Sequence, residues 1–323
     1  AEALLAKWKL DAYKASQWDE QPQRTFDELM LPYLEETQST KKSADRDRYA
    51  ARRLFPFFTG MYVDAIGPEQ FGKYRRKRTK DGVGAGTIGK EIRLFSAACN
   101  YAVREWGWDI PNPARGRSPK APPGRLRWLR KDEADALVAA ARANELAPHL
   151  ADFIQLALAT GMRKSEMLKL EWNRVDMGQR LIYLEPDDQK NGTRGSVPMN
   201  ETARQVVTKR FSERTSDRWM FANKKGERIQ SVKKSFSSAL VVAGIADFTI
   251  HDLRHTVGAW LVQAGVPLRT VCEVLRHKDI RTTMRYAHLA PDNVREAMEM
   301  ITENGSKSHS GHSSQKETRL LAG

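Results

Sequence analysis

The stretch from Pro111 to Pro123 limits most strongly what this chain can fold into. Pro111, Pro113, Pro119, Pro122 and Pro123 alternate there with Arg115, Arg117 and Lys120. Each proline fixes φ and removes an amide donor, so the stretch cannot be helical through its length. It is expected to be an extended basic connector between two domains, and 323 residues suffice for a separate core on each side. Upstream, Thr25–Leu31, Ala44–Leu54, Pro68–Lys77 and Thr87–Trp106 carry apolar residues at three- and four-residue spacings, with Gly- or Pro-containing breaks between them. That half reads as all-α, its last helix capped by Thr87 and presenting Ile88, Ile92, Phe95, Ala98, Cys99 and Ala102 on one face.

Downstream, Lys131–Ala141 and Leu150–Ala159 read as helices, the second closed by Gly161 in a left-handed cap. Strands Leu181–Leu184 and Gly195–Val197 flank Asp187–Arg194, whose Asn191-Gly192 pair signals a hairpin turn. Helices resume at Glu201–Phe211, Ser231–Val242, His251–Ala264, Leu268–Leu275, Ile280–Tyr286 and Pro291–Ile301. The expected class is mainly α with a small antiparallel β-sheet (α+β). From Thr302 the chain is polar and expected to be disordered.

The charge balance, 54 Lys+Arg against 40 Asp+Glu, gives a net +14 and makes nucleic acid the first partner to test. The apolar runs are too short to span a bilayer, so no membrane partner and a cytoplasmic address are expected. Two distant cysteines, Cys99 and Cys272, exclude a disulfide framework and a thiolate zinc site. Lys73, Arg75, Arg76, Lys77, Arg78 and Lys80 form a dense basic run, and with Arg115, Arg117 and Lys120 they are candidate DNA-backbone contacts. Gly84-Ala-Gly-Thr-Ile-Gly89-Lys90 nearly spells a P-loop, but Glu91 stands where Ser or Thr would hold Mg²⁺, so a turn before a helix is the better reading. His251 and His255, four apart, have the spacing of metal ligands; without a third ligand nearby, a helix-packing role for His255 is expected, and no metal or other cofactor. Asp187 and Asp188 suit either a Mg²⁺-dependent nuclease or a polar hairpin.

Four elements in order change the balance: Thr160-Gly-Met-Arg163-Lys-Ser-Glu166, His251-Asp-Leu-Arg254-His255, Leu275-Arg-His277, and Tyr286 nine residues later. With them the chain resembles the tyrosine recombinase family, specifically phage-type integrases, from roughly Thr25 to Ile301. The resemblance implies a core-binding domain at 22–110, a linker at 111–127 and a catalytic domain at 128–301. Residues 1–21 would be a linker or the end of an upstream domain, and 302–323 a polar tail. It implies Arg163, Lys190, His251, Arg254 and His277 as assisting residues, Tyr286 as nucleophile and Glu166 as the residue that orients Arg163. The corresponding function is site-specific recombination through a 3′-phosphotyrosine, integrating or excising a mobile element. Further implications are a C-shaped clamp on duplex DNA, four protomers on two duplexes, and a place in the bacterial cytoplasm or nucleoid, with accessory DNA-bending or excision factors as partners to test. Arg276 departs from the glycine common in the family before the His.

The chemistry fits those residue types. Two guanidinium forks suit the non-bridging oxygens of a pentacoordinate phosphate. A phenol of ordinary pKa about 10 needs nearby cations and a base, for which Arg254 and His251 are the candidates. The departing 5′ oxygen needs a proton, for which Lys190 at the hairpin tip is the candidate, and His277 would donate a hydrogen bond to the phosphate. The rival readings are a non-catalytic DNA-binding protein of the same fold, a metal-dependent nuclease, and an enzyme that only relaxes DNA.

Overall fold

A computed structural model of the chain describes residues 23–122, 124–185 and 195–290. The chain separates into two compact units, Ala1–Gly124 and Arg125–Gly323.

The first unit contains helices α1 (Phe26–Thr37), α2 (Ala44–Phe58), α3 (Pro68–Lys80) and α4 (Ala85–Glu105). A capping box starts α1: Glu28 donates its backbone N–H to Thr25 Oγ1 at 3.3 Å, and the Glu28 carboxylate accepts from the Thr25 backbone at 2.7 Å. Both α1 and α2 run past the prolines where the sequence suggested they would stop. Pro32 and Pro56 lie inside them, and each helix continues because its later residues, Tyr33 and Phe58, are buried in the core. Phe26, Phe58, Phe71 and Phe95 are fully buried, with Phe26 and Phe95 meeting edge to face at 5.1 Å between ring centres. The N-cap of α4 is Gly84, three residues earlier than Thr87, which lies inside the first turn of the helix. The proline-rich stretch is partly anchored to this unit. Asn112 Nδ2 donates to the Ser96 carbonyl at 3.0 Å, Ala114 is buried, and Ser118 donates to the Gly89 carbonyl at 3.3 Å.

In the second unit, α5 (Lys131–Arg142), α6 (His149–Thr160) and the short α7 (Lys164–Leu168) precede strands β1 (Val175–Asp176), β2 (Leu181–Leu184) and β3 (Gly195–Pro198). The strands form one antiparallel sheet in the order β1-β2-β3, with Ile182 opposite both Val175 and Val197. The turn expected at Asn191-Gly192 lies outside the described residues. Then follow α8 (Glu201–Ser212), α9 (Lys233–Val242), α10 (Ile250–Gln263) and α11 (Leu268–Val274). The expected helix at Ile280–Tyr286 is instead two 3₁₀ segments, Ile280–Thr282 and Met284–Leu289. Asp279 caps the first through the Arg281 N–H, and buried Thr283 separates them, so short i to i+3 bonds replace α-helical ones. The expected helix Pro291–Ile301 and the polar tail lie outside the described residues. Helix α10 is central: it packs on α6, on α11 and on the 3₁₀ segment Met284–Leu289. A small cluster of Val257, Val262, Val271, Leu275 and Tyr286 joins these elements.

Candidate active site

The site begins at a turn. Gly161 ends α6 with φ 62°, and a Cβ there would meet Leu275 Cδ2 at 2.9 Å, so only glycine satisfies both the backbone and the packing. Its carbonyl accepts from Arg254 Nη1 at 2.7 Å, which fastens α10 to the α6–α7 turn. Two residues on, Arg163 is the N-cap of α7. The carboxylate of Glu166 accepts from the Arg163 backbone N–H at 2.8 Å and from its Nη1 at 2.6 Å. Glu166 thus caps the helix and holds the guanidinium at once. Arg163 Nη2 donates to the Arg276 carbonyl at 3.2 Å, and Arg276 Nη2 donates to Glu166 at 3.1 Å.

Arg163, Arg254 and Arg276 are therefore neighbours, three guanidiniums against one buried carboxylate. Burial first, then the charges of Arg163 and Arg276, pulls the pKa of Arg254 down to about 9, which still leaves it protonated at neutral pH. Burial pushes Glu166 upward, but Arg276 and the bonds from Arg163 outweigh this and hold it below the ordinary carboxylate value. Two buried donors in the cluster, Arg254 Nη2 and Arg276 Nε, have no hydrogen-bond partner. Unpaired buried guanidinium donors are costly, and an anion is the group that would satisfy them. Beside the cluster opens a cavity of about 470 Å³ lined in part by Arg163, Lys233 and His251. Lys233 was not a sequence candidate, because a lysine at a helix start carries no signal without its neighbours in space.

His277 follows Arg276 directly. Its Nδ1 shares a 2.9 Å hydrogen bond with Thr283 Oγ1, which orients the ring. Burial, then Arg254 and Arg163, lowers its pKa to about 4, so the ring is neutral at pH 7.

Tyr286 is fully buried. Its Oη shares a 2.6 Å hydrogen bond with Nδ1 of His255, and burial raises its pKa to about 12 against the opposing pull of Arg285 and Arg254. This changes two expectations. His255, read from the sequence as a packing residue, is the imidazole in contact with the phenol. His251, the expected base, is exposed and stands edge to face against the His255 ring at 4.8 Å. The cause is helix geometry: four residues along α10 carry His255 one turn further toward the segment that bears Tyr286. Burial and His251 lower His255 to about 4, while burial and Arg254 lower His251. The socket around the phenol depends on Gly258, where a Cβ would lie 2.8 Å from Tyr286 Cζ.

The remaining candidates divide. Lys190, with Asp187 and Asp188, lies outside the described residues. Lys73, Arg76, Lys77 and Lys80 are exposed on α3 and Arg75 is half-buried there, while Arg115, Arg117 and Lys120 are exposed on the proline-rich stretch. Lys73 is paired with Glu69 at 2.7 Å. Arg78 is the correction: it is buried and grips Glu91 with Nη2 at 2.7 Å and Nε at 3.1 Å. Tyr74 donates to the same carboxylate at 2.7 Å. A guanidinium committed to a buried carboxylate between α3 and α4 is part of the unit's frame and not available to a phosphate. Glu91 thereby also gains its function, which is structural, and the P-loop reading has no basis left: Gly84 starts α4 and Gly89 lies within it.

Comparison with known proteins identifies the family. The profile described as the Phage integrase family matches residues 127–293, more than half of the chain. The chain is 29% identical to the integrase of Salmonella phage P22, covering 93% of this chain and 86% of the relative. It is 27% identical to the integrase of Escherichia phage 186, covering 88% and 83%. Among solved structures, the Tn1549 transposon integrase in complex with circular intermediate DNA superposes with a TM-score of 0.71 at 18% identity, over 85% of this chain and 99% of that one. A lambda integrase tetramer bound to a Holliday junction gives 0.69 at 16%, over 88% and 85%. With the arginine cluster, the neutral histidine and the buried tyrosine set on a mainly helical unit of this topology, the chain belongs to the phage integrase family.

Proposed function

We propose that this protein is a site-specific DNA recombinase that cuts and rejoins strands through a covalent 3′-phosphotyrosine. The observation that carries the reading is the cluster of Arg163, Arg254 and Arg276 with two unpaired buried donors, next to His277 and to His255, whose ring bonds the phenol of Tyr286. Arg163 and Arg254 would hold the non-bridging oxygens of the scissile phosphate, and His277 would donate to one of them. The Tyr286 oxygen forms a bond to phosphorus as the bond from phosphorus to the 5′ oxygen breaks. The phenolic proton passes to a neutral imidazole of the His251–His255 pair, and Lys190 protonates the 5′ oxygen. Attack by a 5′-hydroxyl from another strand reverses these transfers and joins new partners, with no external energy source.

A fully buried phenol oxygen is beyond the reach of any phosphate, so the segment Met284–Leu289 must shift when DNA binds. Phosphoryl transfer depends on positioning and charge, so the loss of either arginine clamp should cost rate more than affinity. The protein acts on duplex DNA, and we assign it a homotetramer on two synapsed duplexes by likeness to the lambda integrase tetramer. The exposed cations Lys73, Arg76, Lys77, Lys80, Arg115, Arg117 and Lys120, with half-buried Arg75, would contact backbone phosphates. Among the described residues no helix is long and apolar enough to cross a membrane.

The test uses a pool of nicked duplexes of random sequence. Wild-type protein should capture strands that stay attached on a denaturing gel and, once sequenced, share a motif. Tyr286→Phe should capture none, and EDTA should leave capture intact. A wild type without adduct, or an adduct that Tyr286→Phe retains, would refute the reading.

A further inference from the structure

Arg276 occupies a backbone position that disfavours it. It follows the C-cap of α11 at φ 52°, where its N–H bonds the Glu273 carbonyl and the next N–H bonds the Cys272 carbonyl, both at 2.9 Å. Glycine ordinarily fills that place, since a side chain there crowds the following carbonyl. Strain at a functional cluster invites the question of what the side chain contributes.

Its contacts give the answer. Arg276 Nη2 donates to Glu166 at 3.1 Å and Nη1 to the Val274 carbonyl at 3.0 Å, while its own carbonyl accepts from Arg163 Nη2 at 3.2 Å. Glu166 has no exposed side-chain surface and also takes two bonds from Arg163. Were Glu166 paired with Arg163 alone, it would cancel most of the charge that Arg163 presents to an anion. With Arg276 on its other oxygen, the carboxylate is shared and the cluster keeps an excess of positive charge beside the cavity that Arg163 lines. The Arg276 carbonyl meanwhile fixes the Nη2 of the Arg163 guanidinium while Glu166 holds its Nη1.

We propose that Arg276 is a positioning residue for the strand-transfer reaction: it neutralises Glu166 and, through its strained carbonyl, locks Arg163 in the orientation that meets the phosphate. This rests on the reading of Arg163 as a phosphate clamp. An Arg276 acting in this way works only through Arg163 and Glu166, which makes its effect conditional on them.

The experiment measures single-turnover adduct formation at saturating protein on a nicked duplex recovered from the random pool, with duplex affinity measured separately. Arg276→Gly relaxes the backbone and removes the charge. It should slow the adduct rate about a hundredfold while changing duplex affinity less than about threefold. Arg276→Lys keeps the charge without the fork and should lie between the two. In an Arg163→Lys background, Arg276→Gly should cost less than about threefold more, because the residue it positions is already compromised. A rate unchanged in Arg276→Gly, or a hundredfold loss that persists in the Arg163→Lys background, would overturn the proposal. So would a loss confined to affinity or to thermal stability. If the wild type forms no adduct, the recombinase reading fails separately. The claim about Arg276 is then decided by inorganic phosphate binding, followed through the His277 ring resonances. A tenfold weaker affinity in Arg276→Gly supports it, and equal affinity ends it.

Discussion

Replacing Gly258 by alanine tests how the tyrosine is stored. Gly258 lies inside α10, three residues after His255, and an added methyl would sit 2.8 Å from Tyr286 Cζ, 2.9 Å from Cε2 and 3.1 Å from Leu275 Cδ1. Carbon atoms in contact keep at least about 3.5 Å, so the ring must retreat by roughly 0.7 Å or leave. Two effects oppose each other. Alanine is better than glycine in a helix interior by about 1 kcal/mol, while forcing a methyl into a filled site costs about 1–3 kcal/mol. Gly258→Ala alone should therefore change stability little, by about 0–2 kcal/mol of loss. In a Tyr286→Ala background most of the overlap is gone and the helix gain shows. Urea unfolding of the four proteins should give a coupling of about 1–3 kcal/mol between the two sites. The same strain weakens the docked phenol in the intact protein. Tyr286 should become accessible to nitration, and the adduct should form faster by about tenfold for each 1.4 kcal/mol of strain. A coupling within about 0.5 kcal/mol of zero, with Tyr286 still protected, would refute the socket.

Other expectations can be checked on the same protein. Glu166→Ala leaves Arg163 and Arg276 facing each other without a counter-charge and should destabilise the second unit by about 3 kcal/mol in urea unfolding, whereas a surface ion pair would cost under about 1 kcal/mol. His277 has a native pKa of about 4, below its ordinary 6.5, so between these values the unfolded chain holds a proton that the native state does not. Its contribution to stability is complete above pH 6.5 and is lost as pH falls through 4; His277→Asn should lose less stability than wild type between pH 7 and 4.5. Arg78→Ala should unfold the first unit more easily by about 3 kcal/mol, measured by thermal melting, because Glu91 is left buried without its partner. Lys77→Ala should leave the melting point alone and reduce the salt dependence of duplex binding by about one counterion, measured by titration at several salt concentrations.

Much of this was legible in residue order. The left-handed cap at Gly161 could be read because a glycine after an apolar helix is a local signal, and the same holds for α4, α6 and α10, whose apolar periods span only a few turns. The order of the arginine, histidine and tyrosine motifs was likewise visible along the chain and pointed to one reaction. The partners of those residues were not visible. Arg78 looked like its neighbours Arg76 and Lys77 until α4 brought Glu91 against it. His255 and His251 differ by one turn of α10, and only the packing of Met284–Leu289 decides which imidazole meets the phenol. Glu166 and Arg276 are joined although 110 positions of sequence separate them. Sequence marks apolar periods and most caps because those energies arise between residues a few positions apart, whereas burial of Tyr33 and Phe58 carried two helices through the breaks expected at Pro32 and Pro56. Which cation meets a carboxylate, and which group stays unpaired for a ligand, is set by the packing of distant elements, where burial turns a weak surface charge into a strong constraint.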